Sequence, residues 1–279
     1  MTKNDCMHGL LQVFLSMFWA QKRLSAVFLL LLLSGNAVLF AERGHFLIAQ
    51  AGLDHAAQRD KSMSPLAYGG SGIATGIAYE HGGRSSMDFF HLSFQSGEIR
   101  NRYGNSCSYQ SVAFRNYTFY PKQGESGNAT VFGWSNINAF HRYVNAAYGN
   151  YADRLNYYTL FGPAFRYALP FRIGKLQFHM QLPVDLQILG FYLRPSYISN
   201  RPSGYLDPEN SAFMAWLRSV DLFIPGRDWH FSLNPQLNLM LGSGGRLSLT
   251  YQYQFVRIAK PELFVQSKGT WYISLVTKL

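Results

Sequence analysis

The chain has 279 residues, of which 48% are hydrophobic and 16% aromatic but only 14% charged, against about 25% charged in a soluble domain. A mean hydropathy of −0.08 excludes a bundle of membrane helices. The formal net charge is +10, yet the basic residues are scattered and form no run, so nucleic acid is not an expected partner.

The N-terminus reads as an address. Lys22 and Arg23 precede the apolar run Leu24–Leu33, and small residues follow at Ser34–Ala37. A positive segment, an apolar core and a small-residue site make a secretory signal peptide. Residues 1–41 are therefore assigned to targeting, with cleavage expected after Ala37 or Ala41 and Met17 as a candidate start. An uncleaved anchor is the alternative, but Ser34-Gly35-Asn36 interrupts it. Cys6 falls in this segment, which leaves Cys107 without an intramolecular disulfide partner and without a Cys-rich metal site. Residues 42–67 read as a mature N-terminal extension, with a short helix near Gly52–Lys61.

From residue 68 to 279 alternation takes over. In Gly72–Glu80, Ile73, Thr75, Ile77 and Tyr79 share one face, and Gly72, Ala74, Gly76 and Ala78 share the other. A row of small residues leaves room for bulky neighbours across a barrel interior. Phe90, Leu92 and Phe94 follow on one face of the next strand, with His91, Ser93 and Gln95 on the other. Further strands are expected at 108–121, 129–140, 155–171 and 175–193. In the last of these, the even positions Leu176 to Ile188 are apolar and the odd positions Gln177 to Gln187 are not. A loop is expected over Arg194–Asn210, then the least regular strand at 212–224, then strands at 229–241, 246–258 and 269–279.

The fold class expected is all-β, an antiparallel transmembrane barrel of about ten strands, with 8–12 possible. Membrane strands need roughly 9–11 residues, against about 5–6 in an ordinary strand, and several runs here are that long. The polar face carries Gln, Asn, Ser, Thr and His, which suits a hydrogen-bonded lumen better than a soluble exterior. Lining residues are expected to be Gln95, Gln177, His179, Gln181, Asp185, Gln187, His230, Ser232, Asn234, Gln236, Asn238, Ser248, Thr250, Gln252 and Gln254. Tyr157, Tyr158, Tyr167, Trp229, Trp271 and Tyr272 are assigned to the headgroup level. Pro183 cannot donate to a ladder, so a bulge or gap is expected beside Asp185. This strand list puts the tight turns at 81–86, 172–175 and 225–228 away from the termini, the reverse of the usual arrangement. A further strand near 44–51 or 143–150 would turn it round.

The signal segment, the long amphipathic strands and a chain that ends on an aromatic-to-apolar strand resemble Gram-negative outer-membrane β-barrel proteins. The resemblance covers about 69–279 and implies residence in the bacterial outer membrane, contact with its lipid, and reading of the last strand by the barrel-assembly machinery. Trp271, Ile273, Leu275 and Leu279 fit that strand's alternating pattern, although the family often ends on Phe.

Chemistry is sparse. His91 and Ser93 share a strand face and look like the His-x-Ser pair of outer-membrane acyl hydrolases, in which a His could activate a Ser. His179 and Asp185 share a face but lie six residues apart, roughly 20 Å along a strand at about 3.3 Å per residue. Asp88, Asp185 and Asp221 are expected to meet Arg115 or Arg166 in an internal network, because buried charges need partners. No cofactor or metal motif is present. The expected role is structural, surface-binding or that of a narrow solute channel, with a small and largely filled lumen. The alternatives are a lipid acyl hydrolase using His91 and Ser93, and a secreted soluble ligand-binding barrel.

Overall fold

The computed structural model describes residues 44–83, 86–120, 129–145, 153–194, 220–241 and 244–279. The strands are β1 (His45–Asp60), β2 (Ala67–Gly82), β3 (Met87–Asn101), β4 (Ser106–Tyr120), β5 (Ala129–Val144), β6 (Asp153–Ile173) and β7 (Leu176–Gln187). They continue as β8 (Leu189–Leu193), β9 (Asp221–Leu222), β10 (Trp229–Leu233), β11 (Gln236–Met240), β12 (Arg246–Ile258) and β13 (Phe264–Lys278). Neighbours in the chain pair antiparallel from β1 to β7, β10 and β11 both pair with β7 and β12, and β12 pairs with β13. β13 returns to β1, so that Leu53 lies between Ile73 and Trp271. β7 and β8 form one crossing, as do β10 and β11. The result is a closed antiparallel barrel of 10 crossings, and closure removes the open edges that lipid would not tolerate.

The expected number of crossings stands, but its membership changes. The expected N-terminal extension and its helix at Gly52–Lys61 are replaced by β1, which pairs along its length with both neighbours. Ala49, Ala51, Ala56 and Ala57 lend this stretch helical propensity, but pairing with two strands satisfies every rung of its backbone and overrides it. The strand expected at 212–224 is not a crossing within its described part, where only Asp221–Leu222 pair, against β8. Its residues 212–219, the targeting segment 1–41 with its cleavage sites, and the loop beyond Arg194 lie outside the described residues.

This exchange reverses the middle of the topology, while the turn at 225–228 stays away from the termini as expected. The turns after β2, β6 and β11 now lie at the end that holds Gly44 and Leu279, where the Leu279 amide donates to the His45 carbonyl at 2.9 Å. The long connection from Arg194 to Asp228 lies at the far end, which is the usual arrangement in outer-membrane barrels.

One register shift matters for the interior. β6 pairs with β7 as Ala164 to Asp185, but with β8 as Phe161 to Leu189. One extra residue is accommodated on the β7–β8 crossing around Ile188, whose amide donates to the Phe161 carbonyl at 3.0 Å. This is a β-bulge. Gly162 allows it, because a Cβ there would sit 2.0 Å from the Leu186 carbonyl oxygen. The inward set changes from Gln181, Asp185 and Gln187 to Tyr192 and Arg194, all buried. Pro183 itself stays in register with Arg166. The gap falls on the strand facing it, at Asn234–Pro235, where the Asn234 amide donates to the Pro183 carbonyl at 2.8 Å.

The alternation resolves into an inverted barrel. Leu47, Leu53, Ile73, Phe114, Phe132, Met180, Leu249, Trp271 and Ile273 are all exposed on the outside. Outward charges sit at the strand ends, with Arg59, Glu98, Arg100, Arg142, Asp153 and Arg257 at the far end and Asp88 at the terminal end. An apolar band between charged rims is the surface of a barrel that lies in lipid. A soluble barrel puts its apolar side chains inside, so the soluble alternative is overturned. One polar patch interrupts the band and bonds to itself: Thr159 donates to Asn138 at 2.7 Å, Asn138 to Asn136 at 2.6 Å, and Asn136 to the Leu160 carbonyl at 2.9 Å.

Candidate functional site

The interior is where polar chemistry collects, and it divides into three levels. At the middle level β7 presents Asp185, 2% exposed, among donors from two other strands and from β7 itself. Tyr117 donates to it at 2.6 Å, Ser232 at 2.5 Å and Gln187 at 2.7 Å. Arg115 donates to the Tyr117 hydroxyl at 3.2 Å and to Ser232 at 3.4 Å. The expected Asp–Arg network therefore exists for Asp185 and Arg115, bridged by two hydroxyls. Asp88 belongs to a different set, accepting from Thr118 at 2.8 Å and Ser86 at 3.2 Å, and Asp221 lies on β9.

A second group joins β1, β3, β4 and β13. Tyr109 donates to Asp54 at 2.5 Å, the Lys268 ammonium lies 3.6 Å from the same carboxylate, and Lys268 also donates to Gln95. Gln95 donates in turn to Tyr272 at 3.3 Å. Gly72 and Gly97 leave room for the Tyr109 hydroxyl, since a Cβ on either would approach it within 2.7 Å. The row of small residues on β2 thus serves bulky partners across the interior.

The far end carries an apolar cluster. Ile137, Leu160, Tyr192, Val256, Ile258 and Phe264 form one apolar cluster with Phe223, which enters from the segment after β9 and donates its amide to the Gly190 carbonyl at 3.0 Å. Beside it Arg194 pairs with Asp60 at 2.8 Å, with side chains 1% and 3% exposed, and donates to the Glu262 carbonyl at 2.8 Å. The terminal end, by contrast, opens into a recess of about 760 Å³ counted out to its mouth. Tyr117, His91, Arg115 and Tyr272 floor it, and Glu80, Met87, Phe119, Arg166 and Gln181 line it nearer the rim.

Of the expected lining residues, Gln95, Gln181, Asp185, Gln187, His230, Ser232, Asn234, Asn238 and Ser248 are buried inside. Gln236, Thr250 and Gln252 line the recess, while Gln254 donates to Tyr158 at 3.0 Å and lies 2.7 Å from His230. His179 is half-buried and bonds to Gln181 at 3.2 Å, six residues from Asp185 as its spacing required. Gln177 is a correction, exposed near the tip of the β6–β7 hairpin rather than lining a lumen. Tyr158 and Tyr272 are also corrections. Both are buried inside, at 2% and 1% exposure. Tyr157-Tyr158 and Trp271-Tyr272 are consecutive pairs, and consecutive residues on a strand face opposite ways, so only one of each pair can meet lipid. Trp229 and Trp271 are exposed outward, and Tyr157 and Tyr167 lie on the outward positions of β6.

His91 and Ser93 both face the interior, 6% and 5% exposed. No hydrogen bond joins them among the described residues. The Ser93 hydroxyl donates to the Ala113 carbonyl at 3.4 Å, and the His91 ring meets Tyr272 edge-on at 6.1 Å. Sequence reasoning missed Asp54, Tyr109, Tyr117, Lys268 and the Arg194–Asp60 pair. Asp54, Asp60, Tyr109 and Lys268 lie in strand portions absent from the expected list or at its ragged edge.

No protein-family model matches this sequence, and no curated protein matches it. Among solved structures, Neisserial surface protein A is similar at 8% identity with a TM-score of 0.38, covering 85% of this chain and 100% of that one. The translocator domain of autotransporter NalP from Neisseria meningitidis is similar at 9% identity and a TM-score of 0.33, covering 93% and 97%. The toluene transporter TodX of Pseudomonas putida is similar at 7% identity and a TM-score of 0.30, covering 85% and 89%. The reading as a transmembrane β-barrel of the outer-membrane type rests on the chain's own inverted polarity and closure.

Proposed function

We propose that this chain is a non-conducting barrel of the bacterial outer membrane that acts through what its ends present, not by passing solute. The observation that carries the reading is the apolar cluster of Ile137, Leu160, Tyr192, Phe223, Val256, Ile258 and Phe264 across the far end of the interior. Water and ions need a continuous polar path, and wide pores come with about 16–18 strands. The terminal end faces the periplasm in this reading, which the short turns at that end support. The outward alternation of Trp271, Ile273 and Leu275 on β13 supports recognition of that strand during assembly.

The test is ion conductance in a planar bilayer. The unaltered protein should show no steady current, and Tyr192→Ala combined with Phe223→Ala should raise conductance by thinning the seal. A steady current from the unaltered protein overturns the reading in favour of a narrow channel.

A further inference from the structure

We propose that the recess at the terminal end is a binding site for a small amphipathic carboxylate, with Arg166 as the residue that receives the anionic group. Arg166 projects inward from β6 and is 8% exposed. Its guanidinium lies 5.2 Å from the centre of the Phe119 ring and its NH2 group approaches the Met87 sulfur. Among the described residues no carboxylate pairs with it, and its Nε has no hydrogen-bond partner. Glu80 lies within electrostatic reach of Arg166 but is bound by Arg246. Two guanidiniums therefore share one carboxylate, which leaves a positive charge uncompensated. Asp88 at the rim is held by Thr118 and Ser86, and Asp185 below is held by Tyr117, Ser232 and Gln187. A desolvated cation without a counter-ion is costly unless a partner arrives.

The walls define the rest of the ligand. Phe89, Phe119 and Tyr117 offer a continuous aromatic surface, with Tyr117 and Phe119 stacked at 5.6 Å and Phe89 6.2 Å from Tyr117. Such a surface suits a flat or aliphatic body next to the anionic group. Gln50 Oε1, His91 Nε2 and Asn234 Oδ1 are further buried atoms without partners that line the same space. An arginine placed against aromatic rings suits a planar carboxylate, because the fork binds both oxygens at once.

The experiment uses the full mature barrel in lipid nanodiscs and isothermal titration with 4-biphenylcarboxylate and decanoate. Biphenyl-4-methanol and decanol serve as neutral counterparts. One or both carboxylates should bind in one-to-one ratio, and their neutral counterparts more weakly. Arg166→Gln should weaken carboxylate binding roughly tenfold or more, as loss of a charge-assisted contact in a desolvated site does. Arg166→Lys should retain part of it. Thr250→Trp, which fills the recess while leaving Arg166 in place, should abolish binding and stands in if Arg166→Gln does not fold. Equal binding of acid and alcohol, unchanged binding in either recess variant, or no saturable binding to the folded barrel each overturns the proposal. Binding and conductance are read separately, so this site can fail without the sealed-barrel reading failing, and the reverse.

Discussion

The two ends of the interior are built from the same alternation and come out differently. At the far end an inward cluster of Ile, Leu, Val, Tyr and Phe packs beside buried polar groups such as Gln58, Arg154 and Gln266, and the Arg194–Asp60 pair ties the end of β8 to β1. At the terminal end the inward positions mix Gln50, Glu80, Gln181, Gln236 and Arg166 with Ile48, Phe89 and Phe119, and side chains stop short of filling the space. Alternation fixes which residues face inward but not whether they close ranks. What decides is whether a connection returns to complete the packing, as the segment carrying Phe223 does at one end. At the other end no connection returns in this way among the described residues, and the turns after β2, β6 and β11 are short.

The largest expected effect breaks the sealed end. Arg194→Ala leaves the Asp60 carboxylate buried without its cation, and removal of one partner of such a pair costs about 3–5 kcal/mol. The midpoint of heat-modifiable gel mobility should fall markedly, and a midpoint within error of the parent would show that the clamp does not hold this end. Asp185→Ala acts between the two ends. It orphans the donors Tyr117 and Ser232 and leaves Gln187 with Ser135 alone, at a cost of about 2–3 kcal/mol, since an unsatisfied buried group costs about 1–3 kcal/mol. Asp185→Asn should recover part of that in urea unfolding, because an amide oxygen still accepts. Gly162→Ala presses a methyl against the Leu186 carbonyl and should cost about 1–3 kcal/mol by overcrowding the bulge. Its sharper readout is the inward placement of Tyr192, which solvent quenching of a Tyr192→Trp reporter would follow.

The smallest effect is a matter of pH at the sealed end. Asp228 accepts from the Ile224 amide at 3.0 Å and the Ala259 amide at 2.9 Å, and pairs with Arg227 at 2.6 Å. Burial alone would raise its carboxyl, but Arg227 and the two amides outweigh burial and hold it below the ordinary carboxylate value. A depressed carboxyl stabilises the fold fully above its unfolded value, and that contribution is lost as pH falls through the folded one. Proteolysis at the Arg227 bond should therefore accelerate only in acid, with an acid-stable protease. Asp228→Asn should show the faster cleavage already at neutral pH. Equal rates for both proteins across the range would detach Asp228 from the seal.

Much of this architecture is written locally. The even–odd split from Leu176 to Ile188 names both faces of a crossing, and the Gly and Ala row of β2 announces space that His91 and Gln50 then use, since a Cβ on Gly76 would lie 2.7 Å from one and 3.3 Å from the other. The bulge also has a local trace, because Ile188 and Leu189 are consecutive apolar residues that break the alternation. β1 is harder to see. Its outward face is carried by Ala49, Ala51 and Ala57 between larger residues, and alanine favours a helix in isolation. Its strand state is imposed by pairing on both edges, and one of the two partners, β13, lies more than two hundred residues further along the chain, so no short window of sequence contains the whole cause. The same holds for the recess. Arg166, Phe119 and Gln50 sit on strands that meet only through the closed ring, and nothing about any one of them marks a cavity.

The seam between β1 and β13 joins the first described strand to the last, in unbroken register from Phe46–Lys278 to Asp60–Phe264. A ring joined there cannot shut during synthesis. Until the final residues exist, β1 carries a full row of unspent amides and carbonyls, and each later strand becomes a new sticky border in turn. The first described strand is satisfied on both edges only when the last described one arrives. Its survival through that wait depends on something shielding it, and the alanines that blur its signature also make it the least adhesive border the barrel could offer.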